Sequence, residues 1–193
     1  MRARSPPNPP SRSRLGDHPD YVEAIGMISI ETVALELELA GLFARLLLLR
    51  PSTGRAIFLA PKNEQTRLDI LRDAANAELG PTLLKPPESI LERQKAEALA
   101  KVKEIIARSQ DAINHRHRVI HDEWDVSDDN KEITRRLVDG KVTRPNKRIP
   151  ISELSDQIKS LRILIDDVYK LAVEFRRRPP TMIDLKNSST NSG

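Results

Sequence analysis

The 193-residue chain contains no cysteine, which excludes disulfides, thiolate metal sites and a cysteine nucleophile. That absence fits a reducing cytosol, and a cytoplasmic location is the expectation. Aromatic residues make up only 3% of the chain, although 38% of its residues are hydrophobic. A core must therefore be built from Leu, Ile, Val and Ala, which favours helices over a β-sandwich. Long uninterrupted apolar runs are missing as well. Even beside Leu46-Leu47-Leu48-Leu49, Glu31, Glu36 and Glu38 interrupt any window of ~20 residues, the length a membrane span needs.

Charge is present in quantity but unevenly placed. The net charge is +4. Residues 1–14 carry four Arg and no acid, residues 131–148 carry seven Lys/Arg against two acids, and Arg176, Arg177 and Arg178 add three more cations, leaving −8 for the remainder. An acidic helical body with basic appendages would grip a polyanion by the appendages.

Residues 1–17 are rich in Pro, Arg and Ser and read as a disordered tail. The segment is acid-poor like a transit peptide, but its prolines oppose an amphipathic helix and no apolar signal core follows. A first long helix is expected from Pro19 to Leu49, started by His18-Pro19-Asp20 and ended by Pro51 and Gly54. Apolar residues cover most of its circumference and leave Glu31, Glu38 and Arg45 as a polar line, the pattern of a helix buried on several sides. Residues 52–60 read as a connection. A second helix covers Lys62 to Leu79, stopped by Gly80-Pro81. Pro86-Pro87-Glu88 opens a third, which runs to about Trp124. Asp125 to Asn130 are turn residues, and Asp139-Gly140 centres a β-hairpin over about 132–149. A fourth long helix follows from Ser152-Glu153 to Phe175, and residues 177–193 form a second disordered tail.

The chemistry gathers at the end of the third helix. Its apolar stripe runs Val102, Ile105, Ser109, Ala112, Ile113, Arg116, Val119, Ile120, so an arginine stands where the pattern asks for an aliphatic side chain. A cation aimed into a seam is costly unless it meets an anion or a wet cleft. Asn114, His117 and His121 fall within roughly 60° of one another on the adjoining flank. Glu36, off the polar line of the first helix, is a candidate partner for Arg116; a local pair with a surface neighbour is the alternative.

Arg116-His117-Arg118-Val119-Ile120-His121 resembles the HEPN superfamily motif, Arg-x4-6-His with a polar residue directly after the arginine and aliphatics before the histidine. The motif covers six residues, and the resemblance extends over 18–176. Where many members continue with Gly or x-Tyr, this chain has Asp122-Glu123-Trp124, which departs from the branch modified at that tyrosine. The resemblance implies a mainly α four-helix bundle, here with the hairpin appended between the third and fourth long helices. It also implies a homodimer that brings two motifs together and a metal-independent endoribonuclease without cofactor. Arg116 would clamp the scissile phosphate, His121 would be the acid/base, and His117 or Asn114 would orient either. RNA backbone would lie on Arg135, Arg136, Lys141, Arg144, Lys147 and Arg148. A toxin or phage-defence role with a cognate antitoxin is the usual family setting.

Other readings stand beside this one. The bundle could be a non-catalytic interaction module for a partner protein, nucleotide or RNA. His117-x3-His121 has the spacing of two metal ligands on a helix, but Arg118 stands where a zincin has glutamate and no third ligand is evident, so no metal is expected. His115 points to another face and reads as solvated. His18 reads as a helix-start residue, and Trp124 as a packing anchor for the ribbon in preference to a base-stacking platform. The basic ribbon could equally be an edge kept from aggregating by its charges.

Overall fold

In the computed structural model of the protein, the described residues are 15–80, 90–121, 123–126, 133–136, 138–139, 142–143 and 147–177. A 3-10 turn at Leu15–Asp17 leads into helix α1 (Pro19–Leu46), followed by α2 (Pro51–Leu59), α3 (Glu64–Leu79), α4 (Ile90–His121) and α5 (Ile151–Arg177). Between α4 and α5 lie five short strands: β1 (Glu123–Val126), β2 (Ile133–Arg136), β3 (Val138–Asp139), β4 (Val142–Thr143) and β5 (Lys147–Arg148). The described chain is thus mainly α-helical, with the helical-bundle character that aliphatic composition and 3.6-residue periodicity predict. No described helix is long and apolar enough to cross a membrane. The expected start of the third helix at Pro86-Pro87-Glu88, the two tails outside 15–177 and the turn of the 132–149 hairpin lie outside the described residues.

The helix ends follow from local chemistry. The His18 carbonyl accepts from the amides of Tyr21 and Val22 at 3.1 and 3.2 Å, while Pro19 supplies a first turn that needs no donor. Asn63 caps α3, its Oδ1 accepting from the Gln65 amide at 2.8 Å. The end of α1 departs from expectation. It stops at Leu46, three residues early, because Leu48 adopts φ 52° while its amide bonds Arg45 O and the Leu49 amide reaches Ala44 O at 2.8 Å. That is a Schellman closure with leucine where glycine is usual. Pro51 consequently begins a helix instead of ending one: Arg50 is extended, Pro51 takes the first helical position, and the expected connection at 52–60 is mostly α2. The third helix closes at His121, short of Trp124, and Trp124-Asp125 belong to β1 where helix end and turn were expected.

The described chain divides into two compact units. The first comprises residues 1–30 and 115–159. Its sheet has the order β1-β2-β5, antiparallel throughout, and β3 pairs with β4. Ile133 and Ile149 are buried with Ala24, Ile28, Val119 and Leu154, and the Ile149 amide bonds Ile133 O at 3.1 Å, extending the β2–β5 ladder. Tyr21 donates from its hydroxyl to Ile149 O at 2.9 Å and sets its ring edge-on to Trp124 at 6.4 Å. Trp124 in turn donates Nε1–H to Val119 O at 2.9 Å. These two side chains tie the short sheet to helical backbone, which a small ribbon needs for stability.

The second unit comprises residues 31–114 and 160–193. Its core takes Leu35, Leu39, Leu42 and Phe43 from α1, Phe58 from α2, Leu68, Leu71 and Leu79 from α3, Val102 and Ile106 from α4, and Leu164 and Val168 from α5. Phe43 and Phe58 meet at 5.7 Å. Gly54 lets α2 approach α1: a Cβ placed there would lie 2.3 Å from the Ala44 Cβ. On α1 the expected pattern of exposure is reversed in part. Glu31, from the polar line, is covered by an ion pair with Arg162 at 2.7 Å, whereas Val33 and Leu37 stand open.

Candidate functional site

The seam of α4 forms as its spacing requires: Val102, Ile105, Ser109, Ile113 and Val119 are all buried. Arg116, in register with them, is half-buried. Its Nε lies in the interior with no hydrogen bond at that atom, while the residue is engaged through other contacts. Half-burial withdraws part of the side chain from water while leaving part of the residue at the surface.

His117 and His121 lie one turn apart on the exposed flank, their rings nearly parallel at 24° with centroids 5.6 Å apart. The spacing i, i+4 produces this stack directly, and both imidazoles face solvent. Two imidazole rings stacked on the last turns of α4, following a half-buried arginine, form the chemically most capable cluster of the first unit. Such a set can hold an anion and move a proton beside it. Among the described residues no group of three or more His, Asp or Glu is arranged to hold a metal ion.

The remaining sequence candidates fall as follows. Asn114 belongs to the second unit, is exposed, and accepts from Gln110 Nε2 at 3.2 Å. Glu36, also in the second unit, pairs with Arg67 Nη1 at 2.8 Å, with side chains only 17% and 16% exposed. Arg67 also donates Nε–H to Pro61 O at 2.8 Å. Nothing in the local pattern singles out Arg67, which lies 31 residues from its partner. His115 is not solvated as expected. It is half-buried against Gln157, ring Nε2 to amide Nε2. His18 does occupy the start of α1, with its ring edge-on to Tyr21 at 6.4 Å.

Of the basic set, Arg148 is exposed, and Arg135, Arg136 and Lys147 lie on β2 and β5 with Arg135 in register with Lys147. Lys141 and Arg144 lie outside the described residues. Tyr21 is the residue that motif reading misses; its phenol is pushed up by burial first and then by the Asp20 charge, with a backbone hydrogen bond at Ile151 and the Arg148 charge opposing. In the second unit, the open hollow between Lys101, Arg108, Asp167 and Glu174 is lined by charges already matched, Lys101–Glu174 at 3.2 Å and Arg108–Asp167 at 2.8 Å. It offers no site.

Comparison of the chain with known family models, with curated proteins and with solved structures gives no match.

Proposed function

We infer that this chain is a metal-independent endoribonuclease of the HEPN type, working as a homodimer with Arg116 and His121 from two protomers. The observation that carries the reading is the exposed His117–His121 stack at 5.6 Å, one residue after Arg116, whose Nε is buried. Cleavage by this route needs three things. A base takes the proton from a ribose 2′-hydroxyl, the 2′-oxygen attacks the adjacent phosphorus, and an acid protonates the departing 5′-oxygen, leaving a cyclic phosphate. Imidazole serves for both proton transfers because its charge changes nearest to neutral pH. The guanidinium fork holds two phosphate oxygens and the charge that develops on them. His121 is the acid/base on this reading, and the stacked His117 holds its ring in place. Asn114 and Glu36 belong to the supporting set, the latter through its pair with Arg67.

The strand register supports a polyanion as the substrate. The pairing of β2 with β5 brings Arg135 and Lys147 into register, which concentrates basic residue types on one short sheet. Single-stranded RNA supplies a row of negative charges to match. A toxin or phage-defence effector, held in check by a partner protein, is the setting in which such an activity would be useful to a cell.

The test is cleavage of a mixed single-stranded RNA pool in EDTA by wild type, Arg116→Ala and His121→Ala at matched helicity. Loss of a positioned acid/base should lower the rate about 10²–10⁴-fold, and Arg116→Ala should do at least as much. Cleavage that disappears in EDTA, or survives in His121→Ala, refutes the reading. Silence from all three proteins would favour a non-catalytic interaction module.

A further inference from the structure

The corner where α1 turns into α2 and α2 into α3 carries no negative charge. Residues 39–63 contain no Asp or Glu, against four cations, Arg45, Arg50, Arg55 and Lys62. They belong to the part of the chain whose charge otherwise sums to an acidic total, so a long stretch of one sign sets the corner apart. No ion pair among the described residues involves any of the four, and Arg50, Arg55 and Lys62 are exposed. Two aliphatics stand open between these cations, Leu48 at 56% and Ile57 at 46%. The whole corner lies within the second unit.

Leu48 is the informative residue. It holds the left-handed backbone of the turn that closes α1, φ 52°, which glycine adopts freely and a residue with a Cβ resists. In such a turn the residue that packs back on the helix is the next one, here Leu49, which is half-buried. Leu48 therefore strains the backbone and, exposed as it is, adds little to the core. Strain kept at an open side chain points to a use for that side chain. Helix α2 continues the pattern. Gly54 and Phe58 are its buried residues; at about 100° per residue Ala56 points directly away from them, with Arg55 and Ile57 to either side. Aliphatic tips among arginines, without an acid, suit the boundary of an anionic bilayer. There leucine enters the layer between headgroups and acyl chains while arginine meets lipid phosphate and carboxylate. Nucleic acid fits less well. The two aromatics of the corner, Phe43 and Phe58, are 3% and 1% exposed, so no ring is offered for base stacking.

We propose that this corner is a membrane-surface contact that takes anionic lipid headgroups on Arg50 and Arg55 and sets Leu48 and Ile57 into the bilayer boundary. The contact is with the surface alone, since no described helix is long and apolar enough to cross a bilayer, and it does not rest on the ribonuclease reading. The test is flotation of the full chain with vesicles of phosphatidylcholine, alone or mixed with phosphatidylserine. Residues 1–14 and 131–148 are basic too, so the corner is read from variants. Partition onto the anionic vesicles should fall about 25-fold in Arg50→Gln/Arg55→Gln, at about 5-fold for each cation near such a surface. It should fall about 5-fold in Leu48→Gly, which keeps the fold because glycine suits the turn. Arg93→Gln/Lys103→Gln removes as much exposed charge from α4 and should change partition far less. The absence of native cysteine allows Leu48→Cys to carry a polarity-sensitive fluorophore. Its emission should shift to the blue on anionic vesicles, while the same label on Lys103→Cys stays unshifted. Equal partition onto both vesicle types, a Leu48→Gly protein that binds like wild type, an unshifted label at position 48, or an equal loss in the α4 control would each overturn the proposal. Binding of single-stranded RNA in place of vesicles, lost in Arg50→Gln/Arg55→Gln, would also overturn it and give the corner to nucleic acid.

Discussion

Gly54→Ala should destabilise the protein, against the usual gain from replacing a helical glycine. Gly54 is buried in α2, and the added methyl carbon would lie 2.3 Å from the Ala44 Cβ and 2.8 Å from the Ala44 Cα. Carbon atoms pack at about 3.5–4.0 Å, so the two helices would have to part by more than ~1 Å. The obstructing atoms cannot rotate aside, since both are fixed to the α1 backbone. Forced overpacking of this kind costs about 1–3 kcal/mol. The separation would also loosen the Phe43–Phe58 contact at 5.7 Å. Opposing this, alanine is favoured over glycine in a helix by about 1 kcal/mol. The balance is a loss of up to about 2 kcal/mol, centred near ~1 kcal/mol, or a Tm lower by a few degrees for a chain of this size. Urea unfolding followed by circular dichroism measures it. The double variant Ala44→Gly/Gly54→Ala moves the methyl to the facing helix and should recover most of the packing loss. A Gly54→Ala protein as stable as wild type, or more stable, would show that the approach of α2 to α1 is not limited by this contact.

Leu48→Gly should do the reverse. Leu48 holds φ 52° at an exposed position, and relief of a left-handed leucine should raise stability by about 1 kcal/mol; an unchanged urea midpoint refutes it. Tyr21→Phe should cost about 1 kcal/mol near neutral pH through loss of the hydrogen bond to Ile149 O. Because burial and Asp20 raise the Tyr21 phenol, the folded state keeps a proton that the unfolded chain begins to lose near pH ~10. Its stabilisation is present below that value and lost as pH rises through the folded one. Wild type should therefore lose stability more steeply above pH ~10 than Tyr21→Phe, and parallel slopes would refute the assignment. Arg67→Met removes the Glu36 partner and the donor to Pro61 O. It should cost about 2–3 kcal/mol, scaled down from a fully buried pair, and should be partly rescued by Glu36→Gln; additive losses would refute the pairing as the cause.

What the chain discloses in advance, and what it withholds, divides by the range of the interaction. The α4 seam is legible because its spacing repeats within the helix, and the same repetition marks Arg116 as misplaced and His117 and His121 as neighbours one turn apart. Helix α2 is not legible. Its nine residues, Pro51-Ser52-Thr53-Gly54 through Leu59, look like a loop, and they become helical because the left-handed turn at Leu48 ends α1 early and leaves Pro51 at a first helical position. Arg67 is hidden because its meaning lies in Glu36, far back in the chain, and in a carbonyl before its own helix. Strand β1 is four residues long and alternates too briefly to compete with the helix that precedes it.

The open face of α1 is the most instructive miss. A helix apolar around most of its circumference reads as buried on several sides, and hydropathy cannot say whether the burial is in the chain's own core or against something else. Water is excluded the same way in both. What separates them is exposure in the fold: Val22, Ile30, Val33 and Leu37 stand open while Ile28, Leu35, Leu39 and Leu42 of the same helix are buried, and that difference depends on contacts far along the chain that α1's own spacing does not contain.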